Sequence, residues 1–273
     1  EQPRVSNLEG ASDGSPSEEP PPNNDLPGAA QGYETRRDEA TTCNPGMRLV
    51  DGEYCSVLAH RCIEPFTDSS GRCKRYAAGV RCFPPVIALR FCIDEFEYPN
   101  RWGEKPTVMV TFEQAQQACQ SEGKRLCTAR EWTLACEGPE RFPYPNGLER
   151  DATACNIDRP HRFPDVTALD NPATRDRELD RLDQRSPSGS KPNCVSRYGV
   201  QDLVGNVDEW VVPDGPEEAA GFGAKTALKG GYFGPVRARC RPSTPSHGPT
   251  FRFYQVGFRC CREATGADDG VGR

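Results

Sequence analysis

The chain has 273 residues, with 14 cysteines, 2 methionines and a formal net charge of −6. An even and high cysteine count fits an oxidising compartment, where disulfides persist; the absence of a Cys-x-x-Cys pair and the wide separation of His60, His161 and His247 argue against a zinc ribbon. No apolar run approaches the roughly 18 residues that span a bilayer, so the expectation is an extracytoplasmic chain, periplasmic or secreted, without a transmembrane segment and with its signal peptide removed.

Residues 1–42 carry nine Asp and Glu against three Arg, with six prolines and one aromatic. They have too little apolar surface to form a core and are expected to be a disordered, acidic, Pro-rich tether. The remainder has 31 acids (40 − 9) and 31 bases (34 − 3). With no basic patch, nucleic acid is not an expected partner. Cys43, Cys55, Cys62, Cys73 and Cys82, punctuated by Gly and Pro, mark residues 43–89 as a disulfide-rich N-terminal segment. A domain is expected over 90–263 and a flexible tail over 264–273. "RFCIDEFEYPN" opens the domain with the alternation and aromatic content of a strand.

Two helices follow. In "TFEQAQQACQSEGK", Thr111 and Gln114 form a capping box, Phe112, Ala115, Ala118 and Cys119 recur at helical spacing, and Gly123 stands at the stop. In "TAREWTLACEG", Thr128 and Glu131 repeat the box, and Trp132, Ala135 and Cys136 share a face before Gly138. A buried cysteine near a helix C-terminus lies away from the positive dipole end and is poorly placed as a stable thiolate, which favours structural bonding.

Residues 158–192 are charged, broken by proline and without sustained periodicity, and read as a surface excursion with at most one short helical turn. Cys155 and Cys194 bracket it, so a bond between them would close its base. In "YGVQDLVGNVDEW", Asp202 and Glu209 offer carboxylates and the turn at Gly205 and Asn206 offers carbonyl oxygens, a mixture that suits calcium; an ordinary acidic turn has the same residues. In "KGGYFGPVRARCRP", Cys240 stands among Arg237, Arg239 and Arg241, which match carboxylates and phosphates if they are not already paired.

"GKRLCTAREWTLAC", "YGVQDLVGNVDEW", "LKGGY", "RARC" and "GFRC", in this order, resemble the formylglycine-generating enzyme, or sulfatase-modifying factor, family over roughly residues 90–261. The resemblance implies an α+β fold, an elaborated C-type-lectin relative with little regular secondary structure. It places Asp202 and Glu209 on side-chain calcium ligand positions and Gly205 and Val207 on carbonyl ones, with Asn156 and Ile157 in part of a second calcium site. It also implies disulfides Cys119–Cys260 and Cys136–Cys240. In the family the Gly-Gly turn is followed by two copper-binding cysteines; here Pro235 stands at the nearer position and the other is lost in a shortened segment. The three-histidine iron site of sister families has no counterpart either.

The resulting expectation is an exported, calcium-stabilised domain with no catalytic residues and no formylglycine-generating activity. It would hold a peptide, glycan or envelope protein in a groove near Arg237, Arg239, Trp210 and Tyr232. The alternative is an extracytoplasmic oxidoreductase or tautomerase with a divergent active site.

Overall fold

A computed structural model describes residues 42–68, 70–215 and 225–265. The expected tether, but for Thr42, and most of the expected tail lie outside the described residues.

The first strand, β1 (Met47–Leu58), pairs antiparallel with β4 (Cys82–Asp94) along nearly its full length, from Met47 opposite Asp94 to Leu58 opposite Cys82. Between them β2 (Cys62–Pro65) and β3 (Cys73–Tyr76) form a short ribbon. The ribbon is fixed to the rest of the molecule by hydrogen bonds. Tyr144 Oη donates to Cys73 O at 2.7 Å, Arg150 N to Lys74 O at 2.8 Å and Tyr76 N to Leu148 O at 3.0 Å.

Helix α1 (Phe112–Ser121) buries Phe112, Ala115 and Cys119, and α2 (Ala129–Glu137) is buried on almost every side. Both begin with the complete capping box read from the sequence, at Thr111 with Gln114 and at Thr128 with Glu131. Each box fills two otherwise orphaned backbone donors. The two-residue β5 (Arg125–Leu126) connects the helices and pairs with β10 (Cys260–Glu263), which also pairs with the buried end of β4, giving a sheet ordered β1-β4-β10-β5.

Residues 158–192 contain two short helices rather than one turn, α3 (Val166–Asp170) and α4 (Arg175–Leu182). Leu169 and Leu182 are buried with Phe233 and Tyr254, so two leucines in a charged stretch suffice to dock it. The sequence shows no periodicity because each helix offers only one or two apolar anchors. A second sheet, ordered β8-β7-β6-β9, comprises β6 (Asp208–Val211), β7 (Ala227–Lys229), β8 (Ser243–Thr244) and β9 (Val256–Phe258), with β6 and β9 parallel.

All cysteines are bonded: Cys43–Cys92, Cys55–Cys82, Cys62–Cys73, Cys119–Cys260, Cys127–Cys261, Cys136–Cys240 and Cys155–Cys194. The adjacent pair Cys260 and Cys261 is split between α1 and the start of α2. Successive side chains on a strand point to opposite faces, which lets β10 tie both. Seven disulfides fit an extracytoplasmic, oxidising environment. Among the described residues no helix is long and apolar enough to cross a membrane.

Candidate functional site

Strand β7 runs into Gly230 and Gly231, both at positive φ, 89° and 71°. A Cβ on Gly231 would lie 2.8 Å from Ala238 Cβ. The pair is glycine because the chain folds back on itself here, a conformation that a side chain would obstruct. Beside this turn lies a cavity of about 360 Å³ lined by Asp208, Lys229, Pro235, Arg237, Arg239 and Ser243, with Ser70 contributed by the ribbon loop.

The three arginines of "RARCR" have separate fates. Arg241 is bidentate to Glu137 at 2.7 and 2.9 Å and donates to Cys55 O at 2.7 Å, so it is structural and not part of an anion clamp. Arg239 donates to Tyr76 Oη at 2.9 Å and lies 5.6 Å from the centre of that ring. Arg237 is exposed on the cavity wall and forms no ion pair with any described residue. Lys229 is buried, its Nζ donating to Arg241 O at 3.0 Å and Ser243 Oγ at 3.2 Å.

Of the aromatic residues expected in the groove, Trp210 is not on the cavity wall. It is fully buried, donates Nε1 to Val110 O at 3.0 Å and packs edge-on against Phe112 and Phe251. Leu228, in register with it on β7, reaches the cavity in its place. Tyr232 turns toward Phe233 and Tyr254 and also leaves the wall. Sequence reasoning missed Asp208. It lies inside the quoted motif, but only the fold puts it on the cavity wall. Burial pushes its carboxyl up to about 7, against the lowering effect of the Gly231 N–H, and Glu209 adds to the rise.

Cys240 is buried and bonded to Cys136 at 2.02 Å, so the cysteine among the arginines is not a thiol.

A second polar centre lies beneath the 202–209 turn. Glu209 is fully buried; Arg259 Nε and Nη2 each reach it at 2.7 Å and Trp132 Nε1 at 2.8 Å. Its charge is matched and its oxygens are largely occupied. Asp202, at φ 58°, is also buried and accepts the Gly189 N–H at 3.2 Å. Glu97 is fully buried, and neither of its carboxylate oxygens accepts a hydrogen bond among the described residues. Burial first, and Asp202 second, push the Glu97 carboxyl well above its ordinary range.

Gly205 abuts Asn156, where a Cβ would come within 2.4 Å of the Asn156 carbonyl oxygen. Thus the expected ligand segments 156–157 and 202–209 are packed together. Asn156 itself donates to Gln184 O and Asn206 Oδ1 at 2.9 Å and accepts from Arg159 Nε at 2.9 Å, while Ile157 and Val207 are buried. Among the described residues no group of three or more His, Cys, Asp and Glu side chains is arranged to hold a metal ion. The donor set at Glu97 and Asp202 consists of oxygens, the kind that a hard cation takes.

The fold and the site define a disulfide-stapled α+β domain with a basic cavity beside the Gly230–Gly231 turn and a buried acidic centre at Glu209 and Asp202. A family model described as sulfatase-modifying factor enzyme 1-like domain matches residues 93–264, more than half of the chain, and the chain belongs to that family. Among solved structures it is similar to CarF, at 17% identity over 80% of this chain and 97% of that one, TM-score 0.48. It is also similar to PvdO from Pseudomonas aeruginosa, at 18% identity over 80% of this chain and 94% of that one, TM-score 0.48. A third such structure is Treponema denticola variable protein 1, at 14% identity over 81% of this chain and all of that one (100%), TM-score 0.47.

Proposed function

We propose that this chain is an exported, non-catalytic binding domain, stabilised by calcium at the 202–209 turn, that holds an anionic group of a peptide, glycan or envelope protein in the Arg237 cavity. The observation that carries the reading is the composition of that cavity. Its wall offers a guanidinium with no ion-pair partner among the described residues, beside Arg239 and Ser243, and no thiol. Guanidinium forks match carboxylate, sulfate and phosphate oxygens. Formylglycine formation of the family kind uses a copper-binding thiol pair, and all fourteen cysteines here are consumed in disulfides. Calcium would act structurally, through Asp202, the Gly205 and Val207 carbonyls and the neighbouring acids, by neutralising charge buried under the turn.

Two assays test this reading. Incubation with copper, oxygen and a Cys-x-Pro-x-Arg peptide is expected to give no aldehyde above a metal-only blank by mass spectrometry; turnover would overturn the non-catalytic reading. In a panel of sulfated, sialylated and neutral glycans and acidic and neutral peptides, anionic members are expected to bind and to lose about tenfold or more in affinity with Arg237→Ala, the typical cost of a charge-assisted contact. Equal binding of neutral and anionic members would exclude the cavity as an anion site.

The second reading, an extracytoplasmic enzyme with a divergent site, is favoured by one feature: the Asp208 carboxyl on the cavity wall, which burial pushes up to about 7. A product formed from a bound ligand and lost with Asp208→Asn would favour it.

A further inference from the structure

Asp208 is the one acid among the described residues that line the Arg237 cavity. Neither guanidinium of the wall is paired with it: Arg239 donates to Tyr76 Oη at 2.9 Å, and Arg237 forms no ion pair with any described residue. Lys229 turns its Nζ to Arg241 O and Ser243 Oγ, at 3.0 and 3.2 Å. Glu209, next on β6, points to the opposite face, where Arg259 and Trp132 hold it. On the side of β9, the Gln255 carbonyl accepts the Asp208 N–H at 2.8 Å. Tyr232 and Tyr254, the phenols on which the Asp208 charge acts, are pushed up by burial first and stay neutral at ordinary pH.

A compact cavity of about 360 Å³ is about 9 Å across, close to one Debye length at physiological salt, about 8 Å. An anion held there by Arg237 therefore feels the charge of Asp208 with little screening. Two negative charges in one partly desolvated cavity repel, and a proton on the carboxyl relieves the repulsion. The proton also changes what Asp208 offers. A carboxylate can only accept a hydrogen bond, whereas the neutral carboxyl has an O–H to donate to an oxygen of the anion. Protonation thus replaces a repulsion by an attraction, beside the donors of Arg237, Arg239 and Ser243.

We propose that the Arg237 cavity takes up its anion together with one proton, which resides on the Asp208 carboxyl, so that the site fills in neutral to acidic surroundings and empties in alkaline ones. The inference rests on the anion reading of this cavity and adds its regulation. Burial, first, and Glu209 place the Asp208 carboxyl at about 7 in the empty site, against the lowering effect of the Gly231 N–H. Below that pH the carboxyl is already neutral, and affinity is level. Above it each bound anion must bring a proton, and affinity falls by up to about tenfold per pH unit.

The test uses the whole chain and sodium sulfate, a probe that stays fully ionised across the range and adds no titration of its own. Calorimetry from pH 5.5 to pH 8.5 at constant ionic strength reads the affinity. Repeating it at pH 8 in buffers of different ionisation enthalpy reads the protons taken up. Wild type is expected to bind evenly up to about pH 7, to weaken by about tenfold per pH unit above it, and to take up close to one proton per sulfate at pH 8. Asp208→Asn is expected to lose both the slope and the uptake and to bind sulfate at pH 8 about tenfold more tightly than wild type. Damage to the fold would not produce that gain. His60 lies edge-on to Tyr76, the partner of Arg239, with ring centres 5.7 Å apart, and His60→Gln is expected to keep the slope.

Sulfate binding that is lost with Arg237→Ala but level from pH 5.5 to pH 8.5 would overturn the proton coupling while the anion reading stands. A wild type that binds no sulfate at any pH would remove both. A slope that persists in Asp208→Asn, or that disappears in His60→Gln, would overturn Asp208 as the seat of the proton. If Asp208→Asn does not fold, the proton count of the wild type decides: no uptake at pH 8 overturns the proposal.

Discussion

The N-terminal segment and the family domain are held together differently. In the segment, the outer half of β4 is mostly exposed, and Val57, Phe83 and Val86 face solvent. Its disulfides Cys43–Cys92, Cys55–Cys82 and Cys62–Cys73 bridge 49, 27 and 11 positions. The domain buries Trp132, Trp210 and Phe258, and its bonds Cys119–Cys260, Cys127–Cys261 and Cys136–Cys240 bridge 141, 134 and 104 positions. Where there is little core, crosslinks are short and local. In the domain, three of the four bonds join segments more than a hundred positions apart and constrain the unfolded chain most, whereas the fourth, Cys155–Cys194, spans 39.

The largest expected effect tests that contrast. Replacing Cys136 and Cys240 together by Ala is expected to cost about 4–5 kcal/mol of unfolding free energy, against about 3 kcal/mol for Cys62 and Cys73, on chain-entropy grounds. Denaturant titration measures both; an equal or larger loss in the ribbon would break the comparison.

The next effect concerns ion pairs. Arg259→Ala leaves Glu209 buried without its partner and is expected to cost about 3–5 kcal/mol. Arg90→Ala in the N-terminal segment removes an exposed pair with Asp51, 2.6 Å apart, and is expected to cost under about 1 kcal/mol. Similar losses in the two variants would show that the N-terminal strands are more deeply integrated than their exposure indicates.

The smallest effect is a pH dependence. Burial raises the Asp183 carboxyl, but hydrogen bonds from Arg185 and Lys105 outweigh it and bring it down to about 2. A carboxyl lowered on folding stabilises the fold above its unfolded pKa, near 3.9, and loses that contribution as pH falls toward 2. Asp183→Asn is therefore expected to be less stable than wild type at pH 7, by about 1 kcal/mol or less after screening, with the difference closing between pH 4 and pH 2. Asp68, in the ribbon, is also held at about 2, by Ser70 first and Arg72 second, but is fully exposed. Asp68→Asn is expected to shift the melting curve less than Asp183→Asn, which side-by-side melts at pH 7 and pH 2.5 would check.

Local features of the fold were legible in the residues. Thr111 with Gln114 and Thr128 with Glu131 announced both helix starts because a capping box is complete within four positions. The helices at Val166–Asp170 and Arg175–Leu182 were not visible, since their stability comes from Leu169 and Leu182 reaching Phe233 and Tyr254, far along the chain.

The sequence by itself determined the oxidising context, the two capped helices and the family to which residues 93–264 belong. The tertiary structure decided which charges are available. Arg237, Arg239 and Arg241 look alike in a string of letters, yet Glu137 takes Arg241 and Tyr76 takes Arg239. Glu209 and Glu97 are both buried, yet Arg259 and Trp132 reach Glu209 while Glu97 accepts no hydrogen bond among the described residues. The value of a charged group depends on its desolvation and its partner, and both are set by segments distant in sequence.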